Sequence, residues 1–249
     1  MAGVFDYSNS GYEIRPDIAL AHRRVWEQFA DAGSWWRGAD RVAIAQEVRN
    51  ARFCQLCVER KAALSPFSIE GKHNTTTNLP QIAVDAVHRL CTDPSRLTRN
   101  WLETCEQKGL SKGQYVELLG IVVGMVSIDA FHRALGIDLE PLPHPQPGEP
   151  SKYLPAGIEE GSAWVPVIPA ANAKGNEADL YGGSKQAGNV ITAMSLVPDS
   201  VRILKTLGSA HYIDMKDVPN PYANGGRSLS RPQIELVAGR VSALSDCFY

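Results

Sequence analysis

The fold class expected from the sequence is all-α: two helical halves joined by a long proline-rich connection. Three observations carry this expectation. Apolar residues recur at helical spacing, as in Ile18, Ala21, Val25 and Phe29. No stretch of the first half sustains the period-two alternation of a half-buried strand. Between the halves, Pro141, Pro143, Pro145, Pro147, Pro150 and Pro155 exclude regular helix. The expected units are residues 1–136, 137–183 and 184–249.

Residues 15–32 form the first amphipathic helix. A second is expected over 39–64, stopped by Ser65-Pro66, because proline cannot continue a helix and restricts the residue before it. Leu79-Pro80 opens a third, with proline in its first turn, which ends near Asp93-Pro94. Residues 97–108 follow, with Gly109 just past the end. Ser111 caps a long helix through Leu135, and Gly136 terminates it. The connection after it wraps the surface or crosses a subunit boundary. Helical character returns over 185–195, and Pro198 starts a helix with Val201, Leu204 and Leu207 on its apolar side. After a turn-rich break at 219–226, Ser230 caps the last helix, whose Ile234, Val237, Val241 and Leu244 are expected to face inward.

A chain of 249 residues with a formal charge of −2 and 44% apolar residues is composed like a packed globular protein. That balance argues against disorder, a nucleic-acid-binding arm and a polybasic membrane patch. The first residues lack a basic segment followed by an apolar one, so no signal peptide is expected. The most apolar run, 118–128, is shorter than the roughly 20 residues of a membrane span and reads as a buried helix. Five cysteines are too few for a disulfide scaffold, and a reducing cytoplasm is the expected setting.

Chemistry concentrates on the cysteines. Cys54-Gln55-Leu56-Cys57 is an intact Cys-x-x-Cys, and Cys247-Phe248-Tyr249 begins another without reaching its second cysteine. On a helix this spacing sets two sulfurs about one turn apart, suited to thiol redox chemistry, while the bland alternative is two small buried apolar residues. Glu47, seven residues before Cys54, is either a base or proton carrier, or a surface acid beside Arg49 or Arg52. On the long middle helix, Glu117 or Asp129 can orient His132 as a relay to Cys57; otherwise His132 is a satisfied histidine on a partly buried helix. His73 in a polar loop, His88 on a helix face and His144 in the connection read as solvent-facing or structural. Cys91 and Cys105 have no partner at motif spacing. No second ligand pair stands at zinc-site spacing, so no metal and no cofactor are expected. Phosphate-binding glycine loops and the Gly-x-Ser-x-Gly elbow do not occur.

The last helix carries the most specific pattern: Glu235, then Cys247 twelve residues on, within Glu-Leu-Val-Ala-x-x-Val-Ser-Ala-Leu-x-Asp-Cys. This resembles the alkylhydroperoxidase D / carboxymuconolactone decarboxylase superfamily, whose motif is a glutamate, a twelve-residue step to Cys-x-x-Cys and a histidine four residues later. Glu235 and Cys247 match; the second cysteine and the histidine would be positions 250 and 254. Some relatives carry selenocysteine at that second position, so a selenocysteine codon read as stop is one expected origin of the ending. Residues 41–57 resemble the same repeat, although Val42 stands twelve before Cys54 and Lys61 four after Cys57.

The resemblance implies an oligomeric, all-α, peroxidase-related protein that reduces a hydroperoxide and is recharged by a thiol reductant protein or small dithiol. It implies that Cys57 attacks, Cys54 resolves and Glu235 relays a proton. Trp35-Trp36 either lines a pocket for an apolar hydroperoxide or packs in the core. The alternatives are a scaffold that has lost its reactive residue and a decarboxylase-like enzyme, which needs no cysteine pair.

Overall fold

The structure, a computed structural model, describes residues 4–161, 163–184, 187–245 and 247. Nine helices occur among them: α1 (Pro16–Ala30), α2 (Gly38–Ala51), α3 (Gln55–Ala62), α4 (Gln81–Thr92), α5 (Arg99–Gln107), α6 (Lys112–Leu135), α7 (Asn189–Thr192), α8 (Pro198–His211) and α9 (Arg231–Leu244). The described residues contain no β-strand, only an isolated bridge between Glu159 and Val167.

α6 is the axis of the molecule. A reciprocal capping box between Ser111 and Gln114 starts it, and Gly136 ends it at φ +69, where a side chain would be strained. Leu118, Ile121, Met125 and Ile128 are fully buried along it, and it packs on α1, α2, α4 and α8. α6 is the one described helix long and apolar enough to span a bilayer, although the run 118–128 alone is short. α8 approaches so closely that a Cβ on Gly120 would lie 2.5 Å from Ser200 Oγ.

One hydrophobic core joins Phe29, Leu118 and Met125 to Val165, Ile168, Leu180, Val201 and Leu207, so the helices before and after the connection bury a common surface. The connection is held by single hydrogen bonds rather than a ladder. Pro141 O accepts from Trp26 Nε1 at 3.0 Å, and the amides of Gln146, Ser151 and Lys152 donate to the carbonyls of Ala30, Gly33 and Ser34.

Three elements depart from expectation. The helix expected over 39–64 is broken at 52–54: Phe53 and Cys54 donate to carbonyls three residues back, closing α2, and Cys54 turns extended as the N-cap of α3. Helix over 185–195 reduces to the single turn of α7, and Lys185 lies outside the described residues. Of the expected inward face of α9, Ile234 is buried while Val237, Val241 and Leu244 are exposed, because Arg231 ties the start of the helix to the carbonyls of Asp217, Val218, Asn220 and Ala223 and little else among the described residues meets it.

Candidate functional site: a buried thiol–imidazole centre

The break after α2 determines where the cysteines go. Cys54 sits at the N-cap of α3 in extended conformation, and Cys57 follows one turn later toward α4. Both are free thiols, 0% and 3% exposed. α4 presents Asp85 and His88, and the loop before it brings His73 over the sulfurs. Nδ1 of His73 lies 3.5 Å from Cys54 Sγ and 3.6 Å from Cys57 Sγ; Nδ1 of His88 lies 3.3 Å from Cys57 Sγ.

Each imidazole turns its other nitrogen to a carboxylate. His88 Nε2 is 2.9 Å from Glu47 Oε2, and His73 Nε2 is 2.9 Å from Asp85 Oδ1. Glu47 is fully buried and densely served. Thr75 and Thr77 hydroxyls donate to Oε1 at 2.5 and 2.7 Å, the Thr76 amide at 3.1 Å, and Asn50 Nδ2 donates to Oε2 at 3.1 Å. Burial alone would raise its pKa, but these bonds and His88 outweigh it and bring Glu47 down to about 2. Asp85 likewise resists its burial: His73, Arg89 and Arg60 hold it well below the usual carboxylate range. A carboxylate ionised inside the protein is stable only with this many donors.

The two thiols are unlike. Burial works against ionising Cys54, yet the backbone amides of Cys57 and Asn74, with His73, lower its pKa. Burial, then the charge of Cys54, pushes Cys57 up to about 12. Burial also lowers the pKa of His88, which favours the neutral imidazole. Cys57 lines a cavity. Its volume is about 340 Å³, with buried Val48, Ala51 and Asp129 beneath it and an exposed rim of Arg52, Lys61, Val126 and Arg133.

Of the residues singled out from the sequence, Cys54, Cys57 and Glu47 meet here, and Glu47 is not a surface acid: its partners are His88 and the 75–77 threonines rather than Arg49 or Arg52. The proposed α6 relay is not assembled. Glu117 pairs with Arg41 at 2.8 Å and accepts from the Trp35 amide at 2.6 Å, Asp129 accepts from Nε and Nη2 of Arg49, and His132 Nδ1 meets the Ile128 carbonyl within an aromatic cluster of Phe5, Tyr7 and His22. Trp36 is core, its Nε1 on the Gln114 carbonyl, and neither Trp35 nor Trp36 lines the cavity at Cys57. Glu235 accepts from Tyr212 and Arg231, both at 2.5 Å, and Cys247 is exposed.

His73 and His88, read from sequence as solvent-facing or structural, are the two imidazoles of the centre. Asp85, Thr75, Thr76, Thr77 and Asn50 were not singled out, and no fixed spacing marks them. The one local signal is the polar run His73-Asn74-Thr75-Thr76-Thr77, dense in donors and free of apolar periodicity. Comparison of the chain with family models, curated proteins and solved structures returned no match.

Proposed function

We propose that this protein is a thiol peroxidase of the alkylhydroperoxidase D type, built on a duplicated helical scaffold and working at Cys57. The observation that carries the reading is the line Cys57 Sγ–His88 Nδ1–Glu47 Oε2, with steps of 3.3 and 2.9 Å, behind a cavity that opens on Cys57. A nucleophile, a base and a carboxylate that orients the base are the parts an activated thiol requires. The scaffold reading rests on the resemblance of residues 41–57 and 235–247 to one repeat.

In this mechanism Cys57, held as a thiol at rest by its burial, gives its proton to His88 Nδ1 only as sulfur attacks the peroxide, Glu47 stabilises the imidazolium, and the more acidic Cys54 is the resolving thiolate. The O–O bond breaks, the leaving alkoxide takes the proton as an alcohol, and Cys57 becomes a sulfenic acid. Cys54 attacks that sulfur, water leaves, and a Cys54–Cys57 disulfide forms. A dithiol reductant returns two electrons and two protons. Val48, Ala51 and Val126 suit a hydroperoxide with a hydrocarbon body, and the cations of the rim suit a polar or acidic end.

Hydroperoxide consumption with a dithiol tests this. Turnover should vanish in Cys57→Ser, and Cys54→Ser should stop after one turnover with a single oxygen added to Cys57, read by mass. Turnover that survives Cys57→Ser would remove the reading.

A further inference from the structure

The peroxidase reading uses one imidazole and one carboxylate. It leaves His73 and Asp85 without a task, although they are placed as carefully as His88 and Glu47. We infer that Cys54 Sγ, Cys57 Sγ, His73 Nδ1 and His88 Nδ1 form a tetrahedral Zn²⁺ site when both cysteines are reduced.

The four donor atoms all lie within 4.8 Å of one another. With zinc–sulfur bonds near 2.3 Å and zinc–nitrogen bonds near 2.0–2.1 Å, a tetrahedron has sulfur–nitrogen edges of about 3.5 Å. Three of the four sulfur–nitrogen separations are 3.5, 3.6 and 3.3 Å, and the fourth, Cys54 to His88, lies within 4.8 Å. The rings also present the right nitrogen. With Nε2–H of His88 directed at Glu47 and that of His73 at Asp85, each 2.9 Å away, the lone pair of each Nδ1 points toward the sulfurs; Arg60 Nη1, 3.1 Å from His73 Nε2, donates to the same Asp85 oxygen at 2.7 Å. Metal-bound histidines are oriented by carboxylates in this way. Those carboxylates are themselves fixed: Glu47 by Asn50 and the three threonines, Asp85 by Arg60 at 2.7 Å and Arg89 at 3.0 Å. Two thiolates balance the charge of Zn²⁺, and the thiolate–imidazole donor set selects zinc over magnesium or calcium. The ligand side chains are buried, as in closed structural sites. The fifteen-residue step from His73 to His88 is far longer than the usual histidine spacing of zinc motifs, which hides the set in the sequence.

Zinc and the disulfide exclude each other. Two zinc-bound thiolates, one hydroperoxide and two protons give one disulfide, one alcohol, one water and free Zn²⁺, the peroxide being the oxidant. The inference rests on the proposed redox site only in sharing its thiols.

The test is a Co²⁺ titration of the reduced, chelator-stripped full chain, followed by Zn²⁺. The expected result is thiolate-to-cobalt charge transfer with intense tetrahedral d–d bands at one equivalent, bleached by zinc. Cys54→Ser, Cys57→Ser and His73→Ala should lose the bands, Cys91→Ser and Cys247→Ser should keep them, and Asp85→Asn should weaken binding by about 10–100-fold. Weak octahedral bands, or no thiolate band, in the unmutated protein would overturn the site without relying on any variant's folding. Bands retained in Cys57→Ser or His73→Ala would do the same. Adding hydroperoxide to zinc-loaded protein should release Zn²⁺ to a chromogenic chelator; zinc retained after disulfide formation contradicts the exclusion. Turnover by zinc-free protein without a thiolate–cobalt spectrum sinks the metal site alone, while the spectrum without turnover sinks the peroxidase alone.

Discussion

Glu47 and Glu235 each precede a cysteine, and the structure treats them oppositely. Glu47 is sealed inside the protein with four donors besides His88, and through His88 it reaches Cys57. Glu235 lies on the exposed side of α9, bonded to Tyr212 and Arg231, and Cys247 is exposed, its backbone amide on the Ser242 carbonyl. In sequence, Glu235–Cys247 resembles the alkylhydroperoxidase D pattern more closely than Cys54–Cys57 does. What separates them is supply from elsewhere in the chain. α4 and the 71–78 loop cross the first cysteine pair and bring two imidazoles, two carboxylate contacts and a row of hydroxyls, whereas α9 has little packed against it among the described residues. A helix-borne motif becomes a site only when a second element closes over it.

The largest test of that contrast is turnover. His88→Gln should lower hydroperoxide turnover by about 10²–10⁴-fold, the usual worth of a positioned base, with the protein still folded by circular dichroism. Cys247→Ser should leave turnover unchanged; a loss there would move the chemistry to α9.

Next in size is stability on α6, where two sequence candidates prove structural. Glu117→Ala should cost about 3–5 kcal/mol by denaturant unfolding, because it leaves Arg41 buried and unpaired. A Cβ on Gly33 would lie 1.9 Å from Glu117 Oε1, so Gly33→Ala should strain the same pair.

The two glutamates can be compared directly. Glu47→Gln keeps the shape but faces Thr75, Thr77 and His88 with the wrong hydrogen-bonding pattern, and should cost about 1–3 kcal/mol, as a buried group left unsatisfied does. Glu235→Gln should stay within about 0.5 kcal/mol, as exposed substitutions do. Equal costs would erase the contrast drawn above.

Acid sharpens the contrast between the helices before and after the connection. His22 on α1 and His211 on α8 meet Nε2 to Nε2 at 2.6 Å, and Tyr7 hydrogen-bonds His22 Nδ1. Burial, then the nearby His211, brings His22 down to about 3, and burial lowers His211 too. The unfolded chain, with histidines near 6.5, therefore binds more protons than the native state below that pH. Stability from this contact is complete above about pH 6.5 and declines as pH falls toward 3. His22→Phe should flatten that part of the stability–pH curve; an unchanged slope would put the acid sensitivity elsewhere.

Much of the fold was legible along the chain. Ser111 and Gly136 mark both ends of α6, Pro198 opens α8, and apolar spacing places Val25 and Phe29 in the core, since caps, prolines and periodicity act over a few residues. The break at 52–54 was not legible, because 39–64 reads as continuous helix until α4 and the 71–78 loop are packed against it. The face of α9 was misread for a related reason: Val237, Val241 and Leu244 repeat as an apolar stripe, but nothing among the described residues covers them.

For the site, the sequence alone marked the Cys54–Cys57 pair and made Glu47 a candidate, but the break at 52–54 removes the shared helix pitch, and Glu47 reaches the pair through His88 instead. The partners of that pair were decided only by tertiary structure. His73 and His88 lie sixteen and thirty-one residues beyond Cys57, and Asp85 and the threonines carry no motif of their own. The same packing left His132 with the aromatic cluster and Glu117 with Arg41. Side chains far apart in sequence become neighbours through helix packing, and the burial that removes them from water requires every charge among them to find a partner.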